Sequence, residues 1–181
     1  MDINNSADKQ LLLIHPIGVG LSARFWDRFI TCWQTTETPA VLLAPDLLGC
    51  GAAACPARPL TPEDWAEPLI NLIQERKRGP TVLVAQGASL PIALAFAAKA
   101  PELVSALVAI SPPGWMVLKK EFAQSKARLI WRFLFEGPIG NLFYRYARRR
   151  AFLDSFSRKN LFARAEAVDD EWLEMLKEGS L

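Results

Sequence analysis

The chain has 181 residues, about half of them apolar, and a net charge of +2. That length and composition suit one globular domain with its own core, and a net charge this small singles out no nucleic-acid or membrane partner. Three cysteines without regular spacing, Cys32, Cys50 and Cys55, exclude a disulfide framework and a zinc pattern. The polar start has no basic stretch leading into an apolar run, and no apolar run reaches the roughly 18–20 residues of a membrane span, so a cytoplasmic chain is expected.

Leu11 to Ile14 is a short continuous apolar run, predicting a strand buried on both faces and stopped by His15-Pro16-Ile17-Gly18. Ala23 to Trp33 repeats Phe25, Phe29 and Trp33 every fourth residue, predicting an amphipathic helix with Ser22 as its cap. Val41 to Ala44 is a second buried strand, leading into Pro45-Asp46-Leu47-Leu48-Gly49-Cys50-Gly51. Thr61-Pro62-Glu63-Asp64 opens a helix with a capping hydroxyl, a first-turn proline and carboxylates at the positive end of the dipole; it runs to about Arg78.

Thr81 to Ala85 is a third strand. Gln86-Gly87 is a tight turn into an alanine-rich helix, Ala88 to Ala100, and Leu103 to Ile110 carries a fourth strand. Strands alternating with helices through short loops predict an α/β fold: a doubly wound parallel sheet of about four strands with helices on both faces. From Trp115 onward the spacing is helical throughout. One break falls at Gly137-Pro138-Ile139-Gly140, then come a helix from Arg145 to about Ala167 and a last helix opened by Asp169-Asp170-Glu171. The expected division is a core over 1–114 and a helical cap over 115–181.

Three segments resemble the α/β-hydrolase superfamily when taken in order. Leu11 to Gly18 is similar to the strand and His-Gly-x-Gly loop that opens the oxyanion hole. Pro45 to Gly51 is similar to the Pro-Asp-x-x-Gly-x-Gly loop of the next strand. Leu83 to Glu102 is similar to the nucleophile-elbow strand and its helix. The resemblance implies that the second strand lies beside the first and the third on the first strand's other side. The first and third strand ends then flank a topological switch point, where ligands bind. It also implies a sheet shorter than the family's full one, with exposed edges that invite another chain.

The family's chemistry needs a nucleophile on a strained Gly-x-Ser-x-Gly turn, a histidine to activate it and a carboxylate to orient the histidine. No Gly-x-Ser-x-Gly occurs here. In the family the helix after the nucleophile reaches a Pro-Glu pair about fourteen positions on; counting back from Pro101 places Gly87 at the nucleophile position. Glycine suits the strained backbone but has nothing to attack with. A slipped elbow, Gly87-Ala88-Ser89-Leu90-Pro91, would make Ser89 the nucleophile; otherwise Ser89 is a first-turn serine bonded to backbone. His15 is the only histidine. The resemblance assigns it to the oxyanion loop, where its ordinary role is to hold the loop by hydrogen bonds. The backbone amides of Ile17 and Ala88 take the two oxyanion-donor positions by the same resemblance.

Residues 113–165 hold twelve Lys or Arg against three Asp or Glu, and the last sixteen residues hold six acids and one lysine. Arg145-Tyr146-Ala147-Arg148-Arg149-Arg150 is the densest basic cluster, flanked by aromatics. Its plainer reading is a cap whose aromatics pack over the sheet and whose arginines are solvated. The other is peripheral contact with an anionic membrane or acidic partner through 128–152. No nucleic-acid-reading module, metal cluster, phosphate loop or dinucleotide fingerprint is present, so no cofactor is expected. The expected function is that of a catalytically degenerate hydrolase-fold protein. It would bind a small apolar or carbonyl ligand, or a protein partner, under the cap. Two alternatives stand beside it: an active ester hydrolase using Ser89 or another chain's residues, and a fragment of a longer hydrolase.

Overall fold

The computed structural model describes residues 9–114 and 138–180. Four strands, β1 (Gln10–Ile14), β2 (Val41–Leu43), β3 (Thr81–Gln86) and β4 (Val104–Ile110), form one sheet in the order β2-β1-β3-β4. Every neighbouring pair is parallel; Leu12 lies opposite Leu43 on one side and Leu83 on the other. The third strand therefore sits across the first from the second, as the resemblance implies. A sheet buried on both faces needs apolar side chains at consecutive positions, and Leu12, Leu13 and Ile14 are all fully buried.

Alternate residues of these strands feed two separate cores, because strand side chains alternate faces. Leu12, Ile14, Leu43, Leu83 and Ala85 pack with Leu69, Ile70 and Ile73 of α2 (Pro62–Arg76) and with Ile92, Ala93 and Phe96 of α3 (Leu90–Lys99). On the other face, Leu13 and Val84 pack with Trp26 and, from α1 (Asp27–Gln34), Phe29 and Ile30. Beyond β3 that second face has no cover among the described residues. Val108, which pairs with Val84, and Ile110 beside it stay exposed, and the outer edge of β4 is unpaired.

The helix starts follow capping chemistry, with two departures from the sequence expectation. Thr61 caps α2 in a reciprocal box with Asp64, and Lys77, left-handed at φ 50°, ends that helix before Arg78. The segment after Ser22 begins as a 3-10 turn (Ala23–Trp26) before α1, and Ser22 makes no side-chain cap. Asp46 takes that role from the loop after β2, its Oδ1 accepting the Ala23 amide at 2.7 Å. A longer-range acceptor replaces the local one because the two loops lie side by side at the sheet's carboxyl edge. Gly87–Ser89 likewise forms a 3-10 turn, so α3 starts at Leu90.

The tail is more broken than its helical spacing suggests. The break expected at 137–140 is where α4 (Pro138–Ala147) starts; α5 (Arg150–Phe156), a π turn (Ser157–Leu161) and a 3-10 turn (Ala165–Ala167) replace the single helix expected over Arg145 to Ala167. Arg149 is extended at φ −69° and ψ 136°, which ends α4 and turns α5 so that Leu153 is buried with Val168, Leu173 and Leu176. The last helix, α6 (Asp170–Glu178), begins at an Asp169 cap that accepts the Trp172 amide at 2.9 Å. It packs on the loop after β1 so closely that a Cβ on Gly20 would run into the Leu176 carbonyl, and one on Gly179 into the Gly20 carbonyl. The trailing helices are thus seated over the carboxyl end of β1. The segment from Trp115 to Gly137, including Trp131 and residues 128–137 of the expected 128–152 stretch, lies outside the described residues.

Candidate functional site

The turn after β3 is built on Gly87, whose φ of +59° places it in the left-handed region. A residue with a Cβ loses roughly 1–2 kcal/mol there, and glycine does not. A Cβ at this position would meet no atom within 4 Å, so the space a side chain would fill is open. That space belongs to a cavity of about 570 Å³, which Gly87 lines with Pro16, Ile17, Gln86 and Ala88 from the ends of β1 and β3. Phe25, Phe162, Trp172 and Met175 form its apolar walls, the Trp172 ring edge-on to Phe25 at 6.0 Å and to Phe162 at 5.0 Å.

Ser89 is placed differently from a slipped-elbow nucleophile. It is fully buried and does not line the cavity. Its Oγ accepts the Gln86 amide at 3.1 Å and has one proton to donate, to the carbonyl of Gln86 at 2.9 Å or of Ile14 at 3.2 Å. The hydroxyl ties the elbow to the end of β1, and the 3-10 turn aims it inward.

His15 is also fully buried and away from the cavity lining. Its Nε2 accepts the Leu47 amide at 3.1 Å, which leaves Nδ1 as the protonated nitrogen, donating to the Pro16 carbonyl at 2.9 Å. Burial pushes its pKa below 6.5 despite the opposing Pro16 bond and Asp46 charge. The ring clamps the β1 loop to the β2 loop as a neutral imidazole. Asp46 completes the clamp, its Oδ2 accepting the Ala52 amide at 2.9 Å. Burial, with the Asp46 charge, pushes the thiol of Cys50, in the same loop, up to about 11, which disfavours the nucleophilic thiolate.

Ile17 and Ala88 are brought together on the cavity, one from each loop. Neither amide donates in a turn or loop hydrogen bond among the described residues. Two such amides near one opening suit a carbonyl oxygen or an anion.

Residues far apart in sequence complete the cavity, and the pattern reading missed them. Arg28 donates to Asp169 and Glu171, both at 2.7 Å, and Arg24 pairs with Asp27 and Glu178. Arg24, Asp27, Arg28 and Glu171 all line the cavity, and their charges cancel in pairs, Arg24 with Asp27 and Arg28 with Glu171. Ser111 lines it from the end of β4 at φ +46°, an uncommon setting for a residue with a Cβ. In the sequence that corner is marked only by Ser111-Pro112-Pro113, residues that stop a strand, and nothing local couples Arg28 to Asp169. Among the described residues no group of three or more His, Cys, Asp or Glu is set to hold a metal, and no helix is long and apolar enough to cross a membrane.

The parallel sheet in this order and the elbow at its switch point define a fold class, and the family comparison agrees. The profile of the α/β-hydrolase family matches residues 11–180, so the chain belongs to that family. No curated protein matches it. Among solved structures it is similar to wild-type Cfl2 from Burkholderia cenocepacia, at 20% identity and a TM-score of 0.69 over 96% of this chain and 58% of that one. It is also similar to the epoxide hydrolase VrEH1 from Vigna radiata, at 18% identity and 0.67 over 94% and 59%. A third likeness is to the epoxide hydrolase CorEH, at 19% identity and 0.66 over 96% and 61%. The chain spans about three fifths of the length of these structures.

Proposed function

We propose that this chain is a ligand-binding member of the α/β-hydrolase family with a degenerate elbow, taking a small apolar carbonyl compound under its trailing helices. The observation that carries this reading is Gly87: it has the left-handed turn and open space that suit a nucleophile, and no side chain to fill them. Ser89 is held inward by the Gln86 amide and one of two backbone carbonyls, and His15 by two backbone groups, which argues against either replacing the missing triad. The apolar walls supply affinity, and the Ile17 and Ala88 amides supply a seat for the carbonyl oxygen.

Infrared spectroscopy of ¹³C=O acetophenone with the 181-residue chain tests this. The carbonyl stretch is expected to move to lower frequency on binding, as two N–H donors draw on the oxygen. Met175→Trp, which fills the cavity, should abolish the shift. Covalent labelling by a fluorophosphonate that disappears in Ser89→Ala would overturn the reading in favour of an active hydrolase.

A second reading concerns the outer edge of β4, uncharged over seven residues and unpaired among the described residues, with Val108 and Ile110 exposed beside it. Natural edges are usually blunted by charge, a bulge or a covering element. This edge suits a strand from another polypeptide. Slow amide exchange along Val104–Ile110, together with a dimer in sedimentation, supports pairing with a second copy; fast exchange in a monomer rejects it.

A further inference from the structure

We infer that helices α4 and α5 carry a docking surface for an anionic phospholipid membrane. Among its side chains that the structure describes, α4 buries small residues and exposes large apolar ones. Gly140 and Ala147, seven apart and so on one face, are buried, while Leu142, Phe143 and Tyr146 are 69%, 58% and 51% exposed. A helix that ends its contacts at the protein surface buries its large apolar side chains and exposes polar ones. Scattered exposed apolar residues are ordinary, but contiguous ones mark an interaction site.

The apolar surface continues across the turn. The Tyr146 ring meets Phe152 edge-on at 5.3 Å, and Phe152 stacks on Phe156 at 5.9 Å with 12° between planes. Three rings thus form a row from α4 to the end of α5, and Phe156 at its far end is exposed.

Charge says what covers this row. Arg145, Arg148 and Arg149 make no ion pair among the described residues, and Arg149 lies 5.7 Å over the Tyr146 ring. Their neighbours are different: Arg150 is held by Asp170 and Glu174, and Arg158 by Asp154. Arg145 and Tyr146 lie three and four residues after Leu142 on α4, and Arg149 sits over the Tyr146 ring, so these cations and the apolar side chains share a face. A second copy meeting this face about a twofold axis would set arginines against arginines. An anionic bilayer accepts all three features at once: phosphates for the arginines, the interfacial zone for tyrosine, and the acyl boundary for leucine and phenylalanine. The surface lies on such a membrane and does not cross it.

Co-sedimentation of the 181-residue chain with vesicles tests this. Binding is expected to phosphatidylcholine vesicles containing roughly one third phosphatidylserine, and not to pure phosphatidylcholine. Replacing Arg145, Arg148 and Arg149 together by Gln should weaken binding roughly a hundredfold, at roughly fivefold for each basic residue near the surface. Leu142→Ser with Phe143→Ser should abolish it while the tryptophan fluorescence of the fold stays unchanged. The arginine variant decides the matter alone if the serine variant unfolds. Equal binding to both vesicles, or no binding at low ionic strength, overturns the inference. So does a dimer that the serine variant converts to monomer, which would show a second copy on this face.

Discussion

The imidazole of His15 accepts the Leu47 backbone proton at 3.1 Å, joining the loops that follow β1 and β2. Protonating the ring would turn that acceptor into a donor facing a donor. Burial lowers its folded pKa below the ordinary 6.5, so the unfolded chain binds this proton more readily. Stability from this residue is therefore complete above pH 6.5 and lost as pH falls from there through the folded value. As the chain has one histidine, its ring resonance in NMR is unambiguous, and it should titrate below 6.5. His15→Gln should remove that part of the pH dependence in thermal unfolding.

Two carboxylates, the half-buried Asp64 and the exposed Asp169, respond at lower pH. Arg58, and then the Thr61 amide, hold Asp64 well below the usual carboxylate range; Arg28, and then the Trp172 amide, lower Asp169. Their contribution is present above about pH 4 and is lost as pH falls through the depressed values. Asp64→Asn should flatten the acid limb of the unfolding curve, measured below the window of His15.

Gly87→Ser should fold. The new Cβ meets nothing within 4 Å, so the expected loss is only the roughly 1–2 kcal/mol of placing a side chain at φ +59°. Denaturant unfolding measures this. The variant should still fail to turn over 4-nitrophenyl esters, because His15 is locked between Leu47 and Pro16. Appreciable hydrolysis would mean that a base reaches the elbow from elsewhere.

Gly20→Ala should be far more damaging, although both glycines have positive φ. Its methyl would collide with the Leu176 backbone, which is not free to yield within α6. The expected outcome is a loss of more than about 2 kcal/mol and release of α6, seen as a change in Trp172 fluorescence before the α2–α3 core unfolds.

Ser89→Ala should cost about 1 kcal/mol of stability, since it leaves the half-buried Gln86 amide without the hydroxyl oxygen. Acetophenone affinity should be unchanged, because Ser89 lies outside the cavity lining. Loss of binding with stability intact would place the hydroxyl in the site.

The sequence alone determined the α/β alternation, the order of the four strands through the family resemblance, and the tight turn at Gly87 after the third strand. These rest on short-range rules: apolar runs for buried strands, Thr61 and Asp64 for a helix start, and Gln86-Gly87 for the turn. Only the tertiary structure decided which way polar groups point. Ser89 and Gly87 are two residues apart, yet the 3-10 turn buries one and leaves the other open to the cavity. Asp46, not Ser22, caps the segment after the first loop, because the nearer acceptor in space is distant along the chain. Arg28 finds Asp169 and Glu171 for the same reason, and α4 exposes Phe143 while burying Ala147. Helical spacing specifies that a face exists; what the face meets is set by the packing of separate segments, which no local pattern encodes.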